Sequence, residues 1–412
     1  MTSVLSEAAV SSADWLRREE ERLFGRYAAA AQRFPRLFRF RVPLVVALYL
    51  LVAFVGQDIN GPGGDAFLFA GAGNTLFSPH WADTFAIPDL QSGPIFILLE
   101  GLGYRLGTAA GLPYWTGGGL VTALASALLI VVACRGVFAV YQLNDRTTQA
   151  RELGVCIVFA LTGGLWVVAM YAHPDDLLVT LLLLIAASRA AVGHHGQAGV
   201  IFGFAVGVKL WALIAIAVLL VRASRRASVQ AALAAAAIVA LCYGPFIVFG
   251  RFEMFRGNWQ IEHDAPLNLL FHDGTAFTWE LRVFQAALAT TVGVAVLLRT
   301  RGRNCAVWLV PAAAIAARLL VDPRNIAYYY PPVLLCLLLG QWAGGRLTTF
   351  GSTLVTGSWM LIAMALFATT SGVVGSWWVV VFCVGVIVLA IRYGSVEVRS
   401  DPLKSPDLPA AS

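Results

Sequence analysis

Asp65 stands in "GGDAFLFAGAGNTLFSP" (63–79), just beyond the first strongly apolar segment, where it shares a stretch with Asp58, Asp83 and Asp89 and where no Lys or Arg occurs between residues 42 and 104. A carboxylate flanked by glycines, which let the backbone turn back toward a membrane surface, can act as general base on a hydroxyl acceptor. The same residue can cap the helix that "AFLFAGA" would start. Farther on, "YAHPDDLLVTLLLL" sets His173, Asp175 and Asp176 around a proline turn. These three types bind divalent ions, but three ligands within four consecutive residues converge poorly on one ion. A cap on the following helix with a polar contact is the expected role, and no metal site is expected.

Lys209, in "GFAVGVKLWALIAIAVLL", is the one Lys inside an apolar segment. A cation there costs a few kcal/mol on insertion scales, so it must snorkel or face a polar cavity, and its central position favours the cavity. Gly203 and Gly207 suit a short broken or re-entrant segment. In "ARLLVDPRNIAYYYPPVLL", Arg318, Asp322, Arg324 and Tyr328 to Tyr330 gather at one turn. An arginine fork suits a phosphate and tyrosines suit the interface, while an Asp322–Arg ion pair beside an aromatic belt is the alternative. The stretch 251–282 mixes aromatic, acidic and His residues that can grip a sugar and lipid head or ride on the membrane surface.

These groups must be positioned by membrane helices. Of 412 residues, 59% are hydrophobic and 13% charged, with mean hydropathy +0.75, beyond the apolar share of a soluble domain. About 20 apolar residues span a bilayer as a helix. Ten such segments are expected: 43–57, 115–139, 153–171, 177–193, 229–250, 283–299, 305–320, 326–343, 352–372 and 375–392. Residues 93–112, with Glu100 and Arg105, are expected as an outer interfacial helix, and 199–221 as a segment that enters and leaves on one side. That choice places 22 of the 29 basic residues on the cytoplasmic side. Both termini are then cytoplasmic, and the external segments 58–114 and 251–282 are acid-rich.

The chain thus divides into a cytoplasmic amphipathic and basic segment (1–42), a transmembrane domain (43–392) and a cytoplasmic tail (393–412). Because 41 charged and polar residues precede the first apolar run, insertion through that first span is expected. The six Cys show no CxxC spacing and read as small core residues. No Walker, Rossmann or GxSxG pattern supports nucleotide hydrolysis or serine-esterase chemistry, and no internal repeat is visible.

An acid after the first span followed by "DAFLF", then "LFSP", then "LQSGPI" opening an interfacial helix, resembles the polyprenol-phosphate-sugar-dependent glycosyltransferases of the GT-C superfamily. The pattern is most similar to the actinobacterial mannosyltransferases that extend phosphatidylinositol mannosides. "HPDDLLVTLLLLIAASR", "GFAVGVKLWAL" and "DPRNIAYYYPPVL" follow in the family's order, so the resemblance covers residues 43 to about 345. Family mannolipid enzymes often carry Gly-Gln-x-Asn where this chain has "HPDD".

The resemblance implies a GT-C-like fold in the plasma membrane and inverting transfer of a sugar, mannose, from a polyprenyl phosphate to a lipid or glycan acceptor on the outer face. It implies Asp65 as base, with Asp58 as competitor, and substrate contacts from Gln91, His173, Asp175, Asp176, Lys209, Arg318, Asp322, Arg324 and Tyr328. No cofactor or metal is implied, since the lipid-linked sugar is itself a substrate, and no nucleic acid is a partner. A multi-pass secondary transporter and a noncatalytic membrane scaffold are the competing readings.

Overall fold

The computed structural model describes residue 33 and residues 39–60, 64–143, 146–257, 259–344 and 373–395. The expected span 352–372, most of segment 1–42 and nearly all of the tail 393–412 lie outside the described residues. Among those described the protein is helical. Its β-type pairings are two isolated bridges, one joining Ser92 to Lys209 and the other Gln260 to Ala276.

In chain order the α-helices are α1 (Arg41–Asn60), α2 (Gly64–Leu76), α3 (Pro94–Ala109), α4 (Tyr114–Val140), α5 (Arg146–Leu161), α6 (Gly164–Met170) and α7 (Pro174–Ala191). They continue with α8 (His195–Val208), α9 (Arg225–Phe249), α10 (Trp279–Arg299), α11 (Ala306–Leu319), α12 (Tyr330–Gly344) and α13 (Val373–Ser395). A 3-10 segment, Leu210–Leu220, follows α8.

Among the described residues, three stretches are long and apolar enough to cross a bilayer by length and composition: Trp115–Val140, Arg225–Phe249 and Trp279–Arg299. At 1.5 Å per residue, the 25 residues of α9 reach about 37 Å, more than the roughly 30 Å hydrocarbon core. Their surroundings differ in a telling way. Every residue of α11 is buried, whereas only 17% of the most apolar window of α9 and 22% of that of α10 is buried. Leu233, Leu241, Val248 and Phe249 of α9, and Val283 and Leu298 of α10, stand exposed. A continuous apolar face of that kind is stable against lipid and not against water. The protein is therefore a multi-pass membrane protein, with α7, α11 and α12 at its centre and α9 and α10 at its edge.

Several expected elements are redrawn by the structure. Within the stretch 58–114, the helix that Asp65 can cap is α2, and the helix expected at 93–112 is α3. These pack side by side, with Gly73 against Gly101 so closely that a Cβ on Gly73 would lie 2.5 Å from the Gly101 Cα. The expected span 153–171 is broken into α5 and α6 at Gly163, whose φ of +91° is costly for any residue with a Cβ. The break at 199–221 falls on Lys209 itself, which is extended (φ −158°, ψ 130°) between α8 and the 3-10 segment.

The chain forms a hairpin there. Lys209 reaches the start of α7, while Arg222 just past the 3-10 segment donates to the Ala191 carbonyl at the end of α7. The segment therefore returns to the end it came from, as the charge pattern requires.

That far end is held by arginines. Arg222 also donates to the Gly302 carbonyl and to Asn304 Oδ1, and Arg151 donates to the Trp342 carbonyl at 2.7 Å. Glu152, with a side chain 3% exposed, accepts from Arg41 Nε and Arg135 Nε, both at 3.1 Å. This clamp joins α1, α4 and α5. Glu152→Gln is expected to cost about 1–3 kcal/mol, since it removes a carboxylate from two charged donors. Thermal unfolding in detergent reads that loss, and activity per folded molecule should be unchanged.

Candidate active site

At the opposite end the N-termini of α2, α3 and α7 converge. Each brings part of the site: Asp65 lies in the first turn of α2, Ser92 precedes α3, and His173 precedes α7, whose first turn holds Asp175 and Asp176. Helix N-termini carry partial positive charge and favour the acids gathered there. Gly93 anchors α3 against the hairpin. Its amide donates to the Val208 carbonyl at 2.7 Å, and a Cβ on it would lie 2.3 Å from the Gly207 carbonyl oxygen.

The side chains form one continuous chain of charge. Asp65 Oδ2 lies 2.6 Å from His173 Nε2, and the other ring nitrogen, Nδ1, lies 3.3 Å from Asp175 Oδ1. Ser92 Oγ donates to Asp175 Oδ2 at 2.6 Å. Lys209 Nζ sits 2.9 Å from both Asp175 and Asp176. Asp176 also accepts from Trp211 Nε1 at 2.5 Å and faces Arg318 Nη1 at 3.7 Å. Arg318 then pairs with Asp322 at 3.1 Å, which Gln285 and the Arg324 amide also contact. Aromatic rings wall the chain. Tyr328 stacks on His173 at 4.1 Å with 16° between planes, and Arg318 lies over Trp211 and Tyr329.

Burial separates the members. Asp175, Asp176, Lys209, Arg318 and Asp322 are buried, while the Asp65 side chain is 52% exposed. Asp65 is thus the end of the chain that a substrate can reach.

Counting charges says what His173 does. Four carboxylates (Asp65, Asp175, Asp176, Asp322) face two permanent cations (Lys209, Arg318), so an imidazolium at His173 brings the cluster within one unit of neutrality. His173 lies in the turn between α6 and α7, outside the spans. Burial pushes its pKa down, but the Asp175 charge and hydrogen bonds to Asp175 and Asp65 outweigh burial and hold it above the ordinary value. The His173 hydrogen bond likewise holds Asp65 below the usual carboxylate range, against the opposing effect of partial burial.

The His173 contribution is complete below the unfolded value of about 6.5 and disappears as pH rises through the raised folded value. The Asp65 contribution is complete above about 3.9 and disappears only as pH falls through its lowered value. Stability and activity should therefore hold from about pH 4 to 6.5 and decline on the alkaline side. His173→Gln should flatten that alkaline decline, as measured by unfolding temperature and rate against pH.

Donor atoms of His173, Asp175 and Asp176 lie within 4.8 Å of one another, close enough to share an ion. Lys209 Nζ stands between the two carboxylates, 2.9 Å from each. The expected cap is partial: the Asp176 amide donates to Asp175 Oδ1 at 3.0 Å, and no side-chain cap comes from His173.

Of the residues expected from sequence, Asp65, His173, Asp175, Asp176, Lys209, Arg318, Asp322 and Tyr328 come together. Arg324 turns away: its guanidinium lies 3.0 Å from Glu262 and over the Trp259 ring, tying the 251–282 segment to the site turn. Gln91 adjoins Ser92, and its Nε2 is buried with no hydrogen-bond partner among the described residues. Asp58 falls in the last turn of α1, where side chains lie outside the described residues.

Ser92, Trp211 and Gln285 were not expected. The first two stand inside recognised motifs, "LQSGPI" and "VKLWAL", where a polar or indole neighbour of a named residue was the available signal. Gln285 lies in an apolar span with nothing around it to mark it.

Among solved structures, the chain is similar to the crystal structure of ArnT from Cupriavidus metallidurans in the apo state, with a TM-score of 0.48 and 17% sequence identity over 85% of this chain and 72% of that one. No family model matches the chain, and no curated protein does. The chemistry rests on the side chains described above.

Proposed function

We propose that this protein is a membrane glycosyltransferase that moves a sugar, mannose, from a polyprenyl phosphate to a hydroxyl of a lipid or glycan acceptor at the outer face of the plasma membrane, with inversion at the anomeric carbon. The observation that carries it is the half-exposed Asp65 carboxylate held 2.6 Å from His173 at the open end of an otherwise buried charge chain.

In this reading Asp65 takes the proton of the acceptor hydroxyl as the oxygen forms its bond to the anomeric carbon. The bond from that carbon to the phosphate oxygen breaks, and its electron pair leaves with the polyprenyl phosphate. His173 fixes the carboxylate and keeps it ionised. Lys209 and Arg318, which pair with Asp175, Asp176 and Asp322, offset the acids behind the reacting centre and so limit the repulsion of the anionic leaving group. Gln91 has an unspent amide for a substrate oxygen. The reaction calls on no metal or cofactor, and its partners are membrane lipids, the lipid-linked donor and the acceptor.

Buried ion pairs also line transport paths. Among the described residues, though, this chain of charge touches one end of the protein, and the nearest acid at the other end, Glu152, is closed by two arginines. The test uses liposomes with radiolabelled mannosyl polyprenyl phosphate and membrane lipid extract. A labelled glycolipid of inverted configuration is expected. Label that crosses the membrane without a new glycosidic bond would favour a transporter, and no label movement would favour a scaffold.

A further inference from the structure

The far end of the molecule, away from the charge chain, is crowded with arginines. Residues 177–252 and 281–321 contain no Asp or Glu, yet they bring Arg189, Arg222, Arg225, Arg226, Arg299 and Arg301 to this end. Arg222 is the hub. Its guanidinium reaches the Ala191 carbonyl at the end of α7, and the Gly302 carbonyl and Asn304 Oδ1 in the turn after α10. Because Arg222 stands three residues before Arg225, the ends of α7 and α10 and the start of α9 meet around it.

Those partners are neutral, so none of the charge is cancelled. Arg189, Arg225, Arg226, Arg299 and Arg301 are exposed and make no ion pair among the described residues. The acid described at this end, Glu152, is taken by Arg41 and Arg135. Arg189 and Arg299 lie in the last turns of α7 and α10, where the helix dipole favours a cation. Arg225 and Arg226 have no such reason to be where they are. They open the first turn of α9, which holds no acid, and there the dipole repels them. Helix α8 adds to the same field, because it packs parallel to α9: a Cβ on Gly199 would meet the Ala231 carbonyl oxygen, and one on Gly207 would lie 3.0 Å from Cys242 Sγ. Its first turn therefore lies beside that of α9, and His195 Nδ1 there is buried without a hydrogen-bond partner among the described residues.

So much uncompensated positive charge calls for an anion from outside the chain. Its position says which kind. Arg225, Val229 and Leu233 stand four residues apart on one exposed face of α9, and Arg299 follows the exposed Leu298 of α10. Exposed Leu213, Ile216 and Leu220 of the 3-10 segment run up to Arg222. The guanidinium groups thus crown apolar surface of the kind that faces lipid, at the level where headgroups lie.

We propose that this arginine crown binds the phosphate of an anionic phospholipid in the leaflet at that end, with the acyl chains along the exposed faces of α9 and the 3-10 segment. The arginine fork matches two oxygens of a phosphate at once. The site is separate from the Asp65 charge chain and holds whether or not the protein transfers sugar.

The full chain, immobilised in dodecyl maltoside, is titrated with phosphatidylglycerol or with phosphatidylcholine of the same acyl chains, and retained lipid is measured by mass. Saturable retention of phosphatidylglycerol is expected, with phosphatidylcholine retained far less. Changing Arg225, Arg226 and Arg299 together to Gln should raise the half-saturating phosphatidylglycerol concentration about a hundredfold, at about fivefold per arginine. Arg251→Gln with Arg256→Gln, at the other end of α9, should leave it within about twofold, since those charges lie beyond the screening length. Equal retention of the two lipids, or a triple variant that retains phosphatidylglycerol as wild type does, overturns the crown. Displacement by an equal concentration of glycerol 3-phosphate overturns it too, by assigning the arginines to a soluble anion. If the triple variant does not fold, wild type alone decides: retention must fall as salt rises from about 0.05 to 0.5 M, because exposed charges are screened over that range, and retention independent of salt overturns the proposal.

Discussion

Asp65→Asn is expected to lower sugar transfer about 10²–10⁴-fold, the range set by losing a positioned general base, in a protein that remains folded. The fold should survive because the side chain is half exposed and an amide can keep a hydrogen bond to His173 Nε2. What disappears is the ability to accept a proton, together with the carboxylate hydrogen bond that helps Asp175 raise the His173 pKa. Asp65→Glu should recover part of the rate, since it restores a carboxylate displaced by one methylene. Asp58→Asn, on the preceding helix, should leave most of the activity. If Asp65→Asn transfers sugar at the wild-type rate while Asp58→Asn does not, the base is Asp58 and the 2.6 Å pair is structural.

Lys209→Met should have the largest effect on stability. Lys209 Nζ is the shared partner of Asp175 and Asp176, which are 0% and 1% exposed. Removing one member of a buried ion pair costs about 3–5 kcal/mol, because the remaining charge stays buried and uncompensated. Here two carboxylates lose their common cation at once. Ser92 and Trp211 still donate to them and Arg318 still faces Asp176, so a residual fold is expected at lower yield and lower unfolding temperature. Lys209→Met with Asp175→Asn should recover much of the loss, because it removes one of the stranded charges. Unfolding temperatures in detergent for the two variants check this. A single variant as stable as wild type would mean that the two acids are not charged together.

Asp65, His173, Asp175, Asp176, Lys209, Arg318, Asp322 and Tyr328 were legible in the sequence as candidates, whereas Ser92, Trp211, Gln285 and the meeting of all these residues were not. "HPDD", "VKLW" and "DPRN" each stood out as polar or charged groups in apolar surroundings, where such groups need a reason. The Asp65–His173 contact spans 108 residues and the Ser92–Asp175 contact 83. No local pattern encodes the level to which packing brings each helix end.

Elements were misjudged where packing overrides local signals. Helix α2 forms where Asp65 can cap it, despite the glycines of "GGDAFLFAGAGNTLFSP". Gly73 there serves close approach to α3, with helix geometry intact. Gly203 and Gly207 were expected to break the re-entrant segment, yet both lie within α8. A Cβ on Gly203 would lie 2.6 Å from Ile238, and one on Gly207 would lie 2.6 Å from Ile95. The break falls on Lys209, whose charge must reach the two acids.

The hairpin through Lys209 also imposes an order on biosynthesis. Asp175 and Asp176 leave the ribosome 33 or more residues before the lysine that neutralises them, and Arg318 follows more than a hundred residues later. Until then α7 carries two acids at its leading turn with no cation from the hairpin to receive them. The nascent chain must therefore keep that turn at the aqueous edge of the translocon, or in the care of an insertase, and draw it inward only when the hairpin arrives. Assembly of the site therefore waits for the hairpin, and a nascent chain whose α7 has left the ribosome while Lys209 is still within it holds that helix with its two acids uncompensated.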